Sequence, residues 1–297
     1  MNGLTRSRAL VLAVFSALAA PTAADAGGDV PKVAAENDVV YTKAGGTELK
    51  LDVARPAEGD GPFPVVFVIH GGAWRAGDKK DTRPALQEFA RRGYVAVSPQ
   101  YRFCPKDTFP AQVHDVKAAV RWVKAHAKDY KADPDRVGAV GFSAGAHLAM
   151  MLGLTGPSDG LEGEVADGAP DSSVRAVVSY AGPTELGAAD IPDVSKPLVT
   201  DFLGGSAKEK PEAAKKASPI SYVSKGDAPV LLFQGTKDPL VPHTQATKLA
   251  DALTAAGVPG RVELILGAGH GLSPEDTVRT LAETVAFLDK ALKAPGR

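Results

Sequence analysis

The sequence predicts an α/β fold, built on a mostly parallel β-sheet with helices on both of its faces. Short apolar runs alternate with helical segments along most of the chain, which is typical of this class. Residues 65–69 are continuously apolar and rich in β-branched side chains, as expected for a strand that is buried on both faces. The length of 297 residues suits one large domain of this kind.

The individual elements can be placed in order along the chain. An antiparallel hairpin is expected first, with strands at 39–42 and 48–54 around the turn Gly45-Gly46. The remaining strands are predicted at 65–69, 94–98, 136–140, 174–180, 230–234 and 262–266. Helices are predicted at 83–92, 110–128, 144–154, 244–256 and 274–292. In the second of these helices valines recur at three- and four-residue steps, which indicates an amphipathic helix.

Two stretches interrupt this alternation. Residues 155–173 are rich in Gly, Asp and Ser and predict an exposed loop. Residues 183–227 lie between two predicted strands and are too long for a simple connection, so we expect a small cap insertion with one or two helices there. Because we find no internal repeat or low-complexity segment, residues 27–297 are predicted to form a single domain.

The first 26 residues have the pattern of a secretory signal peptide. Arg6 and Arg8 precede an apolar run at 9–20, and Ala24-Asp25-Ala26 has the small-x-small form of a cleavage site. The apolar run is shorter than the roughly 20 residues that span a bilayer, although an uncleaved membrane anchor is the alternative. The protein is therefore expected to be secreted or periplasmic, with no membrane attachment after the signal is removed.

Composition argues against several other classes of function. The 34 basic and 35 acidic residues leave a net charge of −1, so the chain has no bulk field that would attract nucleic acid. The single cysteine, Cys104, cannot form a disulfide within the chain, and we expect it to pack in the interior. No H-E-x-x-H or C-x-x-C pattern is present. We therefore predict neither a metal site nor a cofactor.

Residues 141–145 (GFSAG) match the G-x-S-x-G pattern. They lie between a predicted buried strand and a predicted apolar helix, which is the context that this pattern requires. A sharp strand-to-helix turn would expose Ser143 above the sheet, and glycines are needed because side chains would collide with the neighbouring backbone. The pattern thus predicts Ser143 as a catalytic nucleophile, with a tight structural turn as the alternative.

Residues 70–74 (HGGAW) directly follow the buried strand at 65–69. Glycines in such a loop let the backbone approach a substrate carbonyl and aim N–H groups at its oxygen. We expect the amides of Gly72, Ala73 and Ala144 to form an oxyanion hole. An ordinary glycine-rich turn is the alternative.

Asp238 and His270 complete the predicted catalytic set. Each follows a predicted strand, at the edge of the sheet where catalytic groups gather in open α/β folds. We expect His270 to take the proton of Ser143 and Asp238 to orient the imidazole. A turn-forming aspartate before Pro239 and an exposed loop histidine are the respective alternatives.

With these motifs, the chain resembles the α/β-hydrolase esterases grouped with the bifunctional acetylxylan/feruloyl esterases, which are relatives of the hormone-sensitive-lipase-like esterases. The resemblance covers nearly all of residues 27–297, and it is carried by the segments 70–74, 77–78, 101–102, 109–112, 115, 141–145, 182–186, 202–205, 217–220, 235–242 and 267–271. It implies the α/β-hydrolase fold and assigns the catalytic and oxyanion roles to the residues named above. It also implies that Arg102 pairs with Asp115.

The resemblance further suggests where substrate would bind. We assign Gly71, Trp74, Phe142 and Val241 to the substrate pocket, although a core contact is the alternative for Trp74. The predicted function is that of a secreted serine carboxylic ester hydrolase, which acts on short-chain acyl or feruloyl esters of carbohydrate. Small-molecule or carbohydrate esters are the expected partners. An amide-cleaving relative (arylformamidase or peptidase) and a non-catalytic binding module of the same fold are the alternatives. The sequence leaves the oligomeric state open.

Overall fold

The computed structural model describes residues 30–293, so the predicted signal peptide at 1–26 and residues 294–297 lie outside the described part. Within it, eight strands form one sheet in the order β1-β2-β4-β3-β5-β6-β7-β8. The strands are β1 (Val33–Ala44), β2 (Thr47–Pro56), β3 (Phe63–Ile69), β4 (Val95–Pro99), β5 (Ala132–Phe142), β6 (Ala176–Tyr180), β7 (Val230–Gly235) and β8 (Gly260–Ile265).

Seven α-helices accompany this sheet in residues 30–293. They are α1 (Arg83–Arg91), α2 (Ala111–Ala125), α3 (Ala144–Leu154), α4 (Lys196–Leu203), α5 (Pro211–Lys216), α6 (His243–Ala255) and α7 (Pro274–Leu292). Strand β1 pairs antiparallel with β2, and β2 pairs antiparallel with β4. All pairs from β4 through β3 to β8 are parallel, which confirms the predicted mostly parallel sheet and its opening hairpin.

The apolar core is divided by the sheet into two layers. The continuous run in β3 supplies both: Val65, Phe67 and Ile69 face one layer, while Val66 and Val68 face the other. The first layer is completed by α2, α3, α4 and α6, and the second by α1 and α7. This two-sided burial explains why β3 lacks the alternating pattern of a half-exposed strand.

Two strands begin well before the first residue that the sequence pattern predicts for them. Strand β1 starts at Val33, but most of its first half is exposed at the edge of the sheet and carries no alternating apolar signal. Strand β5 starts at Ala132 and passes through a stretch with a proline and three charged residues before it becomes continuously buried at Val137. In both cases backbone pairing extends the strand beyond the residues that are buried.

The first predicted interruption lies between α3 and β6, and the second lies between β6 and β7. Residues 155–173 form a largely exposed loop, anchored by Glu162, whose carboxylate lies 2.7 Å from both Lys117 Nζ and Arg121 Nη1 on α2. Residues 183–227 contain the short helices α4 and α5. We call this second stretch the insertion. In the part of the chain that is described, no helix has both the length and the apolar character needed to cross a membrane.

Candidate active site

Ser143 occupies a strained turn between β5 and α3. Its backbone has φ 54° and ψ −120°, a left-handed conformation that costs energy for a residue with a side chain. Two hydrogen bonds hold the turn: the Ser143 N–H donates to the Tyr180 carbonyl at 2.8 Å, and the His147 N–H donates to the Ser143 carbonyl at 3.0 Å. The hydroxyl is therefore presented at the carboxyl edge of the sheet.

The two flanking glycines are required by close backbone packing. A methyl group on Gly141 would overlap the carbonyl of Gly145, and one on Gly145 would overlap the carbonyl of Ile69 at the end of β3. Backbone atoms cannot give way as a flexible side chain can. The expectation that side chains would collide at these positions is confirmed.

The structure brings Ser143, His270 and Asp238 together. The Ser143 Oγ lies 2.9 Å from His270 Nε2, and His270 Nδ1 lies 2.7 Å from Asp238 Oδ2. The aspartate side chain is fully buried and accepts the Nδ1–H, which leaves Nε2 free to accept the serine O–H. An imidazole in this position can take up a hydroxyl proton while the carboxylate stabilises the resulting charge.

The Asp238 carboxylate is held by four hydrogen bonds. Its Oδ1 accepts the backbone N–H groups of Leu240 at 2.8 Å and Val241 at 3.0 Å, and its Oδ2 accepts from Gln234 Nε2 at 3.0 Å as well as from His270. Gln234 also donates to the Val241 carbonyl at 2.9 Å. Sequence reasoning missed Gln234, although a polar residue at the end of the apolar run of β7 was the available signal.

The loop at residues 70–74 packs directly on the turn that carries Ser143. A methyl group on Gly71 would approach the Phe142 carbonyl to 2.8 Å and the Ser143 Cβ to 3.4 Å. Within residues 30–293, the N–H groups of Gly72, Ala73 and Ala144 donate to no protein acceptor. These three amides are thus available to bind an oxygen atom of a substrate.

Buried contacts beneath this loop fix its first residues. His70 Nδ1 lies 2.8 Å from the Gly71 carbonyl, and Tyr101 donates its hydroxyl proton to the His70 carbonyl at 2.9 Å. Burial lowers the pKa of His70, which favours the neutral form of its imidazole. Arg102 binds Asp115 through Nη2 at 2.7 Å and Nε at 2.9 Å, which confirms the pairing implied by the family resemblance.

The residues assigned to the substrate pocket have different environments. Trp74 is 3% exposed and stacks on Phe202 of the insertion, with ring centroids 4.2 Å apart, so its side chain makes the core contact that was the alternative. Phe142 is buried and packs against the His270 ring at 5.1 Å. Val241 is buried, and its backbone supports Asp238. Contact of these residues and of Gly71 with substrate stays a prediction.

No metal-binding arrangement is found among the described residues. In the range 30–293, no three His, Cys, Asp or Glu side chains are placed to hold an ion together.

Together, this sheet topology and the positions of Ser143, Asp238 and His270 after β5, β7 and β8 define an α/β-hydrolase. Comparison with known proteins narrows the class. The chain belongs to the BD-FAE family, whose model matches residues 51–253.

The curated relatives include esterases. The chain is 34% identical to the esterase LipQ of Mycobacterium tuberculosis over 231 residues, which are 76% of this chain and 54% of LipQ. It spans about half the length of the curated relatives that it matches first. These matches confirm the resemblance to α/β-hydrolase esterases.

Solved structures extend the likeness over most of the chain. A truncated carbohydrate esterase from gut microbiota superimposes with a TM-score of 0.79 at 26% identity, covering 90% of this chain and 99% of that one. A thermophilic esterase from Thermogutta terrifontis matches with a TM-score of 0.70 at 28% identity, covering 90% and 95%. Further structures of the Thermogutta esterase contain propionate or butyrate, or are phosphonylated by sarin.

Proposed function

We propose that this protein hydrolyses carboxylic esters by transferring the acyl group to Ser143 and then to water. The observation that carries the proposal is the imidazole of His270, which lies within hydrogen-bond distance of both the Ser143 hydroxyl and the buried Asp238 carboxylate. Membership of an esterase family supports the same reaction. Three unpaired amides beside the serine supply the complementary site for the negative charge that develops on the ester oxygen.

The first half of the reaction forms an acyl-enzyme. His270 Nε2 removes the proton of Ser143 as Oγ attacks the ester carbonyl carbon, and the carbonyl oxygen becomes an oxyanion. The amides of Gly72, Ala73 and Ala144 donate to that oxygen. The tetrahedral intermediate then breaks its bond to the alcohol oxygen, which leaves with the proton held by His270.

The second half releases the acid. A water molecule gives a proton to His270 Nε2 and attacks the acyl carbon, which forms a second oxyanion in the same amide cradle. Collapse of this intermediate breaks the bond to Ser143 Oγ, which takes the proton back from His270. Throughout both halves Asp238 remains ionised and keeps the imidazole in its orientation.

Short-chain acyl or feruloyl esters of carbohydrate are the proposed substrates. The structural likeness to a carbohydrate esterase supports carbohydrate as the alcohol portion of the ester. The propionate and butyrate bound in the Thermogutta esterase support a short acyl chain. We also expect the methyl group of Ala73 to narrow the space beside the reacting carbonyl compared with a third glycine. Export to the periplasm or the medium, as the pattern at 1–26 predicts, would bring the enzyme to such substrates.

Hydrolysis of nitrophenyl acetate by a Ser143→Ala variant tests the proposal. We expect the rate to fall at least about 10³-fold, because the remaining groups cannot form an acyl-enzyme. The control is Ser173→Ala, which changes a serine on the exposed loop and should leave the rate unchanged. Activity of the Ser143 variant equal to that of the control would exclude the mechanism.

A substrate panel tests the specificity. Nitrophenyl esters of increasing acyl length, acetylated xylan and methyl ferulate should show highest kcat/KM for short acyl chains and measurable release from xylan. Preference for nitroanilide amides over the matching esters would favour an amide-cleaving relative. Binding of acetylated xylan without turnover would favour a non-catalytic module.

A further inference from the structure

His147 lies one turn after Ser143 on α3 and takes no direct part in the proposed reaction. Its side chain is completely buried. The imidazole nevertheless makes two hydrogen bonds to distant parts of the chain. The indole N–H of Trp74 donates to His147 Nδ1 at 3.2 Å, and His147 Nε2 lies 2.7 Å from the Ala217 carbonyl.

These two partners fix the protonation of His147. An indole can only donate, so Nδ1 must carry no proton, and a carbonyl can only accept, so Nε2 must carry one. Burial also lowers the pKa of His147 to about 4, which keeps the ring neutral in ordinary buffers. The imidazole is thus a fixed bridge from Trp74 on one side to Ala217 on the other.

The Trp74 end of this bridge belongs to the 70–74 loop. Ala73 and Trp74 have φ values of 53° and 57°, so two successive residues with side chains adopt the left-handed conformation. Such a backbone persists only when its surroundings hold it. The Trp74 carbonyl accepts from the Cys104 N–H at 2.9 Å, and the indole is held by His147 and by stacking on Phe202.

The other end belongs to the insertion at 183–227. Ala217 lies directly after α5, and Phe202, which stacks on Trp74, lies in α4. His147 also packs edge-on against Phe202, with ring centroids 5.4 Å apart. The insertion and the 70–74 loop therefore meet at one histidine.

We propose that His147 is a positioning residue, which holds the amide of Ala73 in place through Trp74 and couples the 70–74 loop to the insertion through Ala217. This inference rests on the proposed function, because it concerns the amides that bind the oxyanion. A displacement of about 1 Å in a catalytic group can cost about 100-fold in rate. The effect should fall on kcat, since the oxyanion forms only in the transition state.

Three substitutions of His147 separate its two contacts. The Oδ1 of asparagine can replace Nδ1 as the acceptor for Trp74, the Nε2 of glutamine can replace the donor to Ala217, and leucine replaces neither. The measured quantity is kcat for nitrophenyl acetate divided by the amount of serine that a fluorophosphonate labels at completion. We expect this quantity to fall about 10- to 100-fold in His147→Leu and His147→Gln. His147→Asn should remain within about threefold of wild type, with KM within about twofold in all three.

Trp74→Phe provides a second route if the histidine variants do not fold. Phenylalanine keeps an aromatic ring against Phe202 but removes the N–H together with part of the indole ring, so kcat should fall about 10-fold with little change in KM. The matched controls are His126→Leu and Trp122→Phe, another stacked pair with centroids 4.0 Å apart on and just after α2. Their kcat per labelled serine should equal that of wild type.

The outcomes distinguish this inference from the proposed function. If wild type neither hydrolyses the ester nor takes the label, the proposed function fails. If wild type is active but Trp74→Phe or His147→Leu retains its kcat per labelled serine, only the positioning role is overturned. An asparagine variant as slow as the leucine variant would also overturn the positioning role, because an acceptor for the Trp74 N–H would then not preserve the rate.

Discussion

Replacement of Gln234 by leucine should slow catalysis without removing any group that contacts substrate. The Gln234 amide donates to Asp238 Oδ2, the same oxygen that accepts from His270, and to the Val241 carbonyl. Leucine has a similar volume but no donor. The variant would therefore leave Oδ2 with His270 alone, while Oδ1 keeps its two backbone N–H groups.

The magnitude follows from these contacts. A hydrogen bond to a charged group contributes about 1.5–3 kcal/mol and one between neutral groups about 1 kcal/mol, so the free energy of unfolding should fall by roughly 3 kcal/mol. Complete loss of the carboxylate function in a comparable triad costs about 10⁴-fold in kcat. Since one of four supporting hydrogen bonds is lost here, we expect kcat to fall about 10-fold, which corresponds to about 1.4 kcal/mol.

The assay combines urea unfolding with hydrolysis of nitrophenyl acetate, and kcat is divided by the concentration of labelled serine. Gln112→Leu is the matched control, because Gln112 is also buried and donates to a carbonyl, that of Asp107, at 2.6 Å. It should lose stability and keep its kcat. If Gln234→Leu lowered only stability, as the control does, the argument that Gln234 orients Asp238 would be refuted.

Two further predictions concern the loop at 155–173 and the 70–74 loop. Glu162→Gln removes the carboxylate that faces Lys117, whose side chain is fully buried, and should cost about 3 kcal/mol in the free energy of unfolding. Burial raises the pKa of Glu162, but the hydrogen bonds to its carboxylate and the charge of Lys117 outweigh burial, so its pKa in the folded state lies below the usual value. The stabilisation is therefore lost as the pH falls through this folded-state pKa, and the difference between the variant and wild type should shrink below about pH 4. Ala73→Gly removes the strain of a left-handed backbone conformation, which costs about 1–2 kcal/mol, but it raises the entropy of the unfolded chain by a similar amount. The free energy of unfolding should therefore change by less than about 1 kcal/mol. In the same variant, kcat/KM for esters with longer acyl chains should rise relative to that for acetate.

Each of these predictions has its own check. Glu164→Gln is the control for Glu162, because its side chain is exposed two residues further on, and an equal loss of stability in both variants would contradict the role of the buried ion pairs. For Ala73→Gly, the measured quantity is the ratio of kcat/KM for nitrophenyl octanoate and acetate. An unchanged ratio would show that the Ala73 methyl does not limit the acyl group.

Strong local patterns made much of the fold predictable. The run at 65–69 is apolar because β3 is buried on both faces. The G-x-S-x-G motif predicts a tight turn, because both of its glycines lie too close to neighbouring backbone atoms to carry a side chain. The exposed beginning of β1 carried no such signal, because strand pairing at an edge depends on backbone hydrogen bonds rather than on burial.

The supporting groups of the site could not be predicted in the same way. Gln234 acts through Asp238 and Val241, which lie in the loop that follows its strand. His147 acts through Trp74 and Ala217, which are distant in sequence and are brought to the two nitrogens of its imidazole only in the folded chain. Their residue types alone are compatible with many other environments. The three central residues were predictable because each follows a strand whose end lies at the same edge of the sheet.

Covalent labelling followed by peptide mapping tests the central claim most directly. The protein would be treated with a fluorophosphonate, digested, and examined by mass spectrometry for the modified residue. The account predicts one phosphonyl group on Ser143, formed rapidly in wild type and at least about 100-fold more slowly in His270→Ala. A folded protein that is labelled on another residue, or that is labelled at Ser143 equally fast without His270, would contradict it.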